Sequence, residues 1–268
     1  MIAQLHIEAA VRDDRTYLKS TYYTTPLKVA NITEDKKKNR LHLMLMSSSP
    51  GILDGDQYQL KIDLAEGTSL QLHTQSYQRL FNMKKSATQS IEVHLALGGS
   101  FCFLPHPSVP HTGSVFTTGN KFFLSENCSL VFGEILTCGR KLNGEVFLFS
   151  KYHSITEIYL NNKLVIKENL LIEPATMQLD SIGQLEGFTH QASLIYINTI
   201  ADISELTETI SRLLADQEGT IFGITAAPLN GLIIRMLGNK AEQLHDCLKA
   251  ISNILPQEAG TKSIEHAV

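Results

Sequence analysis

Alternation of apolar and polar residues is the feature that most constrains this chain, and it runs from the amino terminus to about residue 198. Clear cases are residues 68–74 and 90–97, in which apolar side chains alternate with polar or small ones. Successive side chains of a β-strand point to opposite faces, so this pattern gives each strand one apolar face. We therefore expect most of the chain to form strands.

Further strand patterns are separated by turn residues such as Gly98-Gly99 and Asn143-Gly144. The additional predicted strands are 41–46, 57–64, 121–124, 129–136, 145–149 and 153–160. No long helical pattern intervenes to build parallel βαβ units. The prediction is a mainly-β fold, with a layered antiparallel or β-helical sheet body.

The pattern becomes helical near the carboxyl terminus, where apolar residues in 202–219 follow helical spacing after a possible cap at Asp202. A hairpin pattern follows at 220–226 and 232–237. The sequence thus predicts two C-terminal α-helices that flank a hairpin.

The second of these helices is predicted to open at Asn239, with Glu242 three residues later, and to end at Pro256.

The chain is predicted to form a single domain over residues 1–256, with a β body over about 1–200 and an α+β extension over about 201–256. Residues 257–268 are polar and without periodicity, which predicts a frayed, disordered tail.

Composition excludes several classes of function. The chain has 23 basic and 27 acidic residues and a net charge of −4, so a nucleic-acid partner is not expected. The amino-terminal segment lacks the features of a signal peptide, and no apolar run has membrane-spanning length. Cysteines are scattered without the spacing of a disulfide framework or zinc site. We expect a cytoplasmic protein with reduced thiols and no membrane association.

Residue types alone give only weak signs of chemistry, since no nucleophile elbow, P-loop or zinc-protease motif is present. Residues 51–56 could hold a carboxylate site, although Gly and Asp at this density favour an ordinary turn. The proline-rich loop 105–111 carries His106 and His111, but two imidazoles do not make a metal site.

Glu134, Arg140 and Glu145 could form an ion cluster, and such clusters are more often structural than functional.

Short motifs spread over the chain carry a more specific signal. They are Ser49-Pro50-Gly51-Ile52-Leu53-Asp54-Gly55-Asp56, Thr74-Gln75 followed by Leu80-Phe81, Phe103-Leu104-Pro105-His106-Pro107, Glu134 through Arg140 with Glu145 and Phe147, Gly223-Ile224-Thr225, and Gly231 through Arg235. In this order they resemble the S-P-G-G-x-x-x-G-D, T-x-Q, L-P-x-P, E-x-x-x-x-G-R…E-x-F and G-x-T…G-L-x-x-R patterns of the urease accessory protein UreD family, also called UreH. Each motif alone is weak, and their shared order makes the resemblance specific.

The sequence departs from the family pattern at two places. Ile52 stands where the family often has a second glycine, which bears on the tightness of that turn. The aromatic-and-arginine ending after the last helix is absent, because the chain reads Asn253-Ile254-Leu255-Pro256.

The resemblance implies a scaffold without enzymatic activity of its own. Family members form a complex with UreF and with the nickel-carrying GTPase UreG, dock on apo-urease and help to pass nickel to it. It implies no tightly bound cofactor, only nickel(II) in transit, and transit suits oxygen ligands that bind weakly and exchange.

Carried onto this chain, the resemblance gives two groups of candidate residues. Candidates for nickel transit are Asp54, Asp56, Glu134 and Glu145, and motif residues with a structural role are Ser49, Pro50, Gly51, Gly55, Gln75, Pro105, Gly139 and Arg140. We expect Asp56 to point into a channel inside the β body, and Arg140 to clamp Glu134 or Glu145 as a buried ion pair.

Two other functions stay open at this point. The chain could be a β scaffold that binds a protein partner without metal transfer. It could also be a hydrolase, which would need two carboxylates at a fixed separation in an open cleft. Tryptophan, a common sugar platform, is absent from the sequence.

Overall fold

The computed structural model describes residues 1–35, 39–199, 203 and 205–256, and over these ranges the prediction of a mainly-β fold is confirmed. In chain order the strands are β1 (Ile2–Arg12), β2 (Arg15–Tyr23), β3 (Leu27–Asn31), β4 (Arg40–Ser47), β5 (Gln57–Leu64), β6 (Ser69–Thr74), β7 (Gln78–Leu80), β8 (Ala87–Leu95), β9 (Ser100–Phe103), β10 (Ser108–Pro110), β11 (Val115–Leu124), β12 (Ser129–Thr137), β13 (Lys151–Leu160), β14 (Lys163–Ile172), β15 (His190–Asn198), β16 (Ile221–Ala227) and β17 (Gly231–Gly238), and the helices are α1 (Leu206–Ala215) and α2 (Ala241–Ile254).

The strands form two sheets. The first sheet has the order β14-β13-β11-β8-β5-β1-β2, and the second has the order β16-β17-β15-β12-β9-β6-β4-β3, with β10 and β7 added beside β12. From β4 to β13 the main strands alternate between the sheets, and the short strands β7 and β10 are additions to the second sheet. Sequential main strands of one sheet therefore lie parallel without a helical crossover. This winding is β-helical in character. Antiparallel pairs are found toward the ends of each sheet.

The main apolar core fills the space between the sheets, with Phe101, Phe116 and Phe122 among its fully buried side chains. A second core lies on the outer face of the second sheet, where α2 packs on β12, β15 and β17 through residues such as Leu244 and Ile251. Burying one such side chain contributes roughly 1.5–3 kcal/mol. Because apolar side chains cover both of its faces, β12 is buried along almost its whole length.

The two C-terminal helices do flank the hairpin formed by β16 and β17, as predicted. The predicted start of the second helix at Asn239 is wrong, because α2 begins at Ala241. The Asn239 side chain accepts the backbone N–H of Thr189 at 3.2 Å instead of capping the helix. None of the helices in the described ranges is long and apolar enough to cross a membrane.

The predicted strand at 145–149 is also wrong. These residues follow a 3-10 turn at Lys141–Asn143 as irregular backbone, and Phe147 has a φ of 53°, which a strand cannot contain.

The predicted cap at Asp202 and the predicted tail at 257–268 lie outside the described residues. The grouping of residues 1–256 into one domain stays a prediction.

Candidate functional site

A cavity lined by both polar and apolar side chains lies between the two sheets and consists of two adjoining lobes. We name them the Glu134 lobe, about 70 Å³ in volume, and the Pro50 lobe, about 120 Å³. Both are lined in part by the same residues, which are Leu45, Thr74, Ser76, Gln78 and Gln89. Because the lobes share this wall and Pro50 is exposed, the cavity extends from the interior toward the surface.

Glu134 is the half-buried residue in an otherwise buried β12, and its carboxylate reaches polar groups of the opposite sheet. It accepts hydrogen bonds from Ser154 Oγ at 2.7 Å and from Asn120 Nδ2 at 3.4 Å. Asn120 Nδ2 also lies 3.0 Å from Thr156 Oγ1, to which it donates. A carboxylate of the second sheet therefore meets a polar cluster from β11 and β13 of the first sheet.

The surroundings of Glu134 disfavour its negative charge. Burial raises the pKa of the Glu134 carboxyl, and the charge of Glu168 acts in the same direction, while the hydrogen bonds from Ser154 and Asn120 oppose the rise. Burial and the charge of Glu134 also raise the pKa of Tyr152, which lines the same lobe. A cation that enters the lobe would offset this unfavourable charge, so the lobe suits cation binding.

A pair of glutamines separates the two lobes. Gln78 Nε2 donates to Gln89 Oε1 at 2.8 Å, and Ser108 Oγ donates to Gln78 Oε1 at 3.2 Å. Gln78 and Gln89 line both lobes. Any ion that moves between the lobes would pass these amide groups, whose oxygens are suitable ligands for it.

The structure brings several motif residues to this cavity. Ser49, Pro50, Gly51 and Gln75 line the Pro50 lobe, and Pro105 lines the Glu134 lobe.

Gly51 is required by a close approach. A Cβ atom at this position would lie 2.4 Å from the Arg79 carbonyl oxygen and 2.8 Å from Phe81 Cε2. The Ile52 backbone N–H next to it donates to the same Arg79 carbonyl at 2.8 Å. Ile52 itself is buried, so the absent second glycine does not prevent this tight packing.

Asp54 and Asp56 are not among the residues that line either lobe. The Asp56 carboxylate accepts the backbone N–H of Leu53 at 2.9 Å and lies 3.2 Å from the Met1 amino group. The exposed Asp54 accepts the backbone N–H of Lys85 at 2.9 Å. The Asp56 carboxylate holds the turn before β5, which agrees with the turn interpretation of this segment, whereas Asp54 ties the segment to Lys85. Their contact with nickel stays a prediction.

Arg140 binds Glu145 through two hydrogen bonds, one of them from Nε at 2.9 Å, and not Glu134. The clamp with Glu145 is therefore present, and the pair is only partly buried, since the Glu145 side chain is 15% exposed. The Arg140 side chain is 43% exposed, because the pair lies on the irregular segment after β12. Gly139 has a φ of 119°, and a Cβ there would lie 2.9 Å from the Pro110 carbonyl oxygen.

Gly55, the remaining motif residue, has a φ of 78° and forms the turn before Asp56. The two histidines of the proline-rich loop have different neighbours: His106 Nδ1 lies 2.8 Å from Thr74 Oγ1, whereas the His111 ring packs on Phe81.

The polar cluster opposite Glu134 was missed by the sequence analysis. Thr118, Asn120, Ser154 and Thr156 are all buried at inward positions of their strands. Alternation predicts apolar residues at inward-facing strand positions, and polar residues at such positions are the sequence signal that could have revealed the cluster.

Fold and site together define a class of protein: a mainly-β scaffold that encloses a cavity in which hydroxyls, amides and one carboxylate lie among apolar side chains. Among the described residues that line the two lobes, Glu134 is the sole acidic side chain. This set does not supply the pair of carboxylates that a glycoside hydrolase uses.

Comparison with known proteins identifies the family within this class. The chain matches the family described as UreD urease accessory protein over residues 1–266. It is 47% identical to the urease accessory protein UreD of Flavobacterium johnsoniae over 95% of this chain and 92% of that protein. It is 35% identical to UreD of Acetivibrio thermocellus, covering 94% and 97% of the two chains. The UreD of a Haemophilus influenzae strain is 33% identical over 90% and 93%. The chain belongs to the UreD family of urease accessory proteins.

Proposed function

We propose that this chain is a non-enzymatic scaffold for nickel delivery. It forms a complex with UreF and the GTPase UreG, docks on apo-urease and lets nickel(II) pass through the interior cavity. Membership of the UreD family supports the role in urease maturation. The observation that carries the nickel route is the cavity itself, which is bordered by motif residues from distant parts of the sequence.

The chemistry of the cavity suits an ion in transit. Its polar groups near Glu134 are one carboxylate, amides and hydroxyls, together with one imidazole from His106. Oxygen ligands of this kind bind a divalent ion weakly and exchange rapidly, whereas a closed set of thiolates or imidazoles would retain it. A water molecule requires roughly 10–15 Å³ of such space. The Glu134 lobe, at about 70 Å³, can therefore hold a cation with part of its water.

We place this function in the cytoplasm. The described cysteines are all free and buried, which suits a reducing compartment.

The proposal is tested by co-expressing the chain with its cognate UreF and UreG and measuring complex formation by size-exclusion chromatography. The complex is then used to mature apo-urease, and the nickel bound by urease is measured. We expect a stable complex that raises the nickel content. Separate elution of the chain and UreF at micromolar concentration would contradict the complex. A complex that docks on apo-urease without affecting its nickel content would favour a partner-binding scaffold without metal transfer.

A further inference from the structure

A cluster of possible metal ligands lies on α2, outside the cavity. Glu242, His245 and Asp246 each offer one ligand atom, and these atoms all lie within 4.8 Å of one another. The spacing explains the cluster, because residues three and four positions apart share one face of a helix. A Glu-x-x-His sequence on a helix is also used by carboxylate-bridged metal proteins to point two ligands at one ion.

The burial of His245 gives a second reason to expect a ligand there. The residue is only 1% exposed, and its Nδ1 atom has no hydrogen-bond partner among the described residues. A buried polar atom without a partner is unusual and costly.

Neighbouring residues orient the cluster and connect it to the cavity. Tyr77 donates its hydroxyl hydrogen to Glu242 Oε2 at 2.7 Å, which fixes this carboxylate. The ring centroids of His106 and His245 are 4.7 Å apart. Tyr77 lines the Pro50 lobe and His106 lines the Glu134 lobe, so the cluster on α2 lies beside both.

We propose that Glu242, His245 and Asp246 form a binding site for a divalent transition-metal ion, next to the interior cavity. One imidazole and two carboxylates suit Ni²⁺ or Zn²⁺ better than Mg²⁺ or Ca²⁺, which prefer oxygen ligands alone. Lys249 Nζ lies 3.6 Å from Asp246 Oδ1 and competes with the ion for that carboxylate. A role of this site in binding nickel transiently on its way to urease rests on the proposed function. Metal binding by the site does not depend on that function.

The test is direct metal binding by the full chain. Isothermal titration with NiCl₂ compares the wild type with the double variant Glu242→Gln, Asp246→Asn. Both substituted side chains are exposed, so the variant is expected to fold. Glu92→Gln is the matched control, because Glu92 Oε1 lies 2.8 Å from His94 Nε2 on another surface, and no third ligand atom joins this pair among the described residues. We expect the double variant to bind Ni²⁺ at least about ten-fold more weakly, and the control to bind normally.

Equal Ni²⁺ affinity in the wild type and the double variant would contradict the proposed site. A loss of Ni²⁺ affinity in the Glu92→Gln control as large as that in the double variant would also contradict it. A spectroscopic readout adds a check on ligand identity. Co²⁺ bound to the wild type should give a d–d absorption band that the double variant lacks. No urease is needed for either measurement, so the result does not depend on the proposed function. If Ni²⁺ binding is lost but urease matured with the double variant has normal nickel content, the site stands and its place on the nickel route is refuted.

Discussion

Ser154 on β13 donates a hydrogen bond of 2.7 Å to Glu134 on β12, and this contact joins the two sheets through the middle of an apolar core. A buried carboxylate that faces hydroxyls and an amide is costly for folding, since none of these partners carries a positive charge. The proposed passage of a cation through the cavity would give this carboxylate a positively charged partner that the fold does not supply. The first two predictions concern the two consequences of the Glu134 charge: its cost for folding and its proposed attraction for a cation.

Glu134→Gln should reduce nickel transfer and leave the complex intact. The amide keeps the size of the side chain and an acceptor for Ser154, but it removes the charge that would attract the ion. We expect urease matured with this variant to contain several-fold less nickel at limiting nickel concentration. The measurement is nickel per urease active site, with complex formation checked by size-exclusion chromatography. Unchanged nickel content at all nickel concentrations would show that the route avoids Glu134.

The same substitution should make the protein more stable at neutral pH. Because burial raises the pKa of Glu134 above its ordinary value of 4.5, the folded state retains a proton that the unfolded state releases. Wild-type stability therefore falls as pH rises through the window between the unfolded and folded pKa values, and stays lower above it. The glutamine variant has no such loss. Its advantage in unfolding free energy should be small below about pH 4.5 and larger at about pH 7, as measured by urea unfolding. An advantage that does not change with pH would contradict the raised pKa.

Sequence patterns predicted the strands because alternation is a local signal, and β5, β6 and β12 match their predicted ranges closely. The parallel winding was not predictable in the same way. It depends on which sheet each strand joins, and pairings such as β4 with β6 are set by packing across the core. For the same reason the motifs could not reveal the cavity, whose lining comes from distant segments.

The strand predicted at 145–149 fails because Gly144 and Phe147 both adopt a positive φ, at 79° and 53°. The apolar residues at 147 and 149 do pack on the core, so the alternation was real, but it occurred without strand geometry. A pattern of burial predicts which side chains face inward, and the backbone between them is a separate property.

Asp56→Ala should lower stability rather than nickel transfer. The substitution leaves the Leu53 backbone N–H without its acceptor and removes the partner of the Met1 amino group. We expect a loss of about 1.5–3 kcal/mol in unfolding free energy, as for hydrogen bonds to charged groups. Asp56→Asn keeps an acceptor and should lose less. Urease nickel content should then follow the amount of folded chain. Normal stability combined with low nickel content would instead support a nickel contact at Asp56.

Arg140→Ala should have little effect on folding, contrary to what a buried ion pair would predict. The Arg140 side chain is 43% exposed, and ion pairs that are open to water contribute little to stability. Arg212→Ala is the matched control, because Arg212 pairs with Glu208 on the exposed face of α1. We expect the thermal midpoints of the two variants to agree. A much larger decrease in the thermal midpoint for Arg140→Ala would mean that the Arg140–Glu145 pair fixes the backbone conformation of the segment after β12.

Gln89→Leu tests whether ions pass between the two lobes. Gln89 accepts a hydrogen bond from Gln78 at 2.8 Å, and both amides border both lobes. Leucine has a similar size, so it removes the polar group without opening a large void, and it leaves Gln78 Nε2 without its acceptor while Gln78 Oε1 keeps the hydrogen bond from Ser108. Gln59→Leu is the control, since Gln59 accepts a similar hydrogen bond from Gln4 at 3.1 Å on the exposed surface of the first sheet. Both variants should form the complex with UreF and UreG, but only Gln89→Leu should lower the nickel content of matured urease. If the two variants deliver equal nickel, the ion does not cross between the lobes, and Glu134 must be reached by another path or not at all.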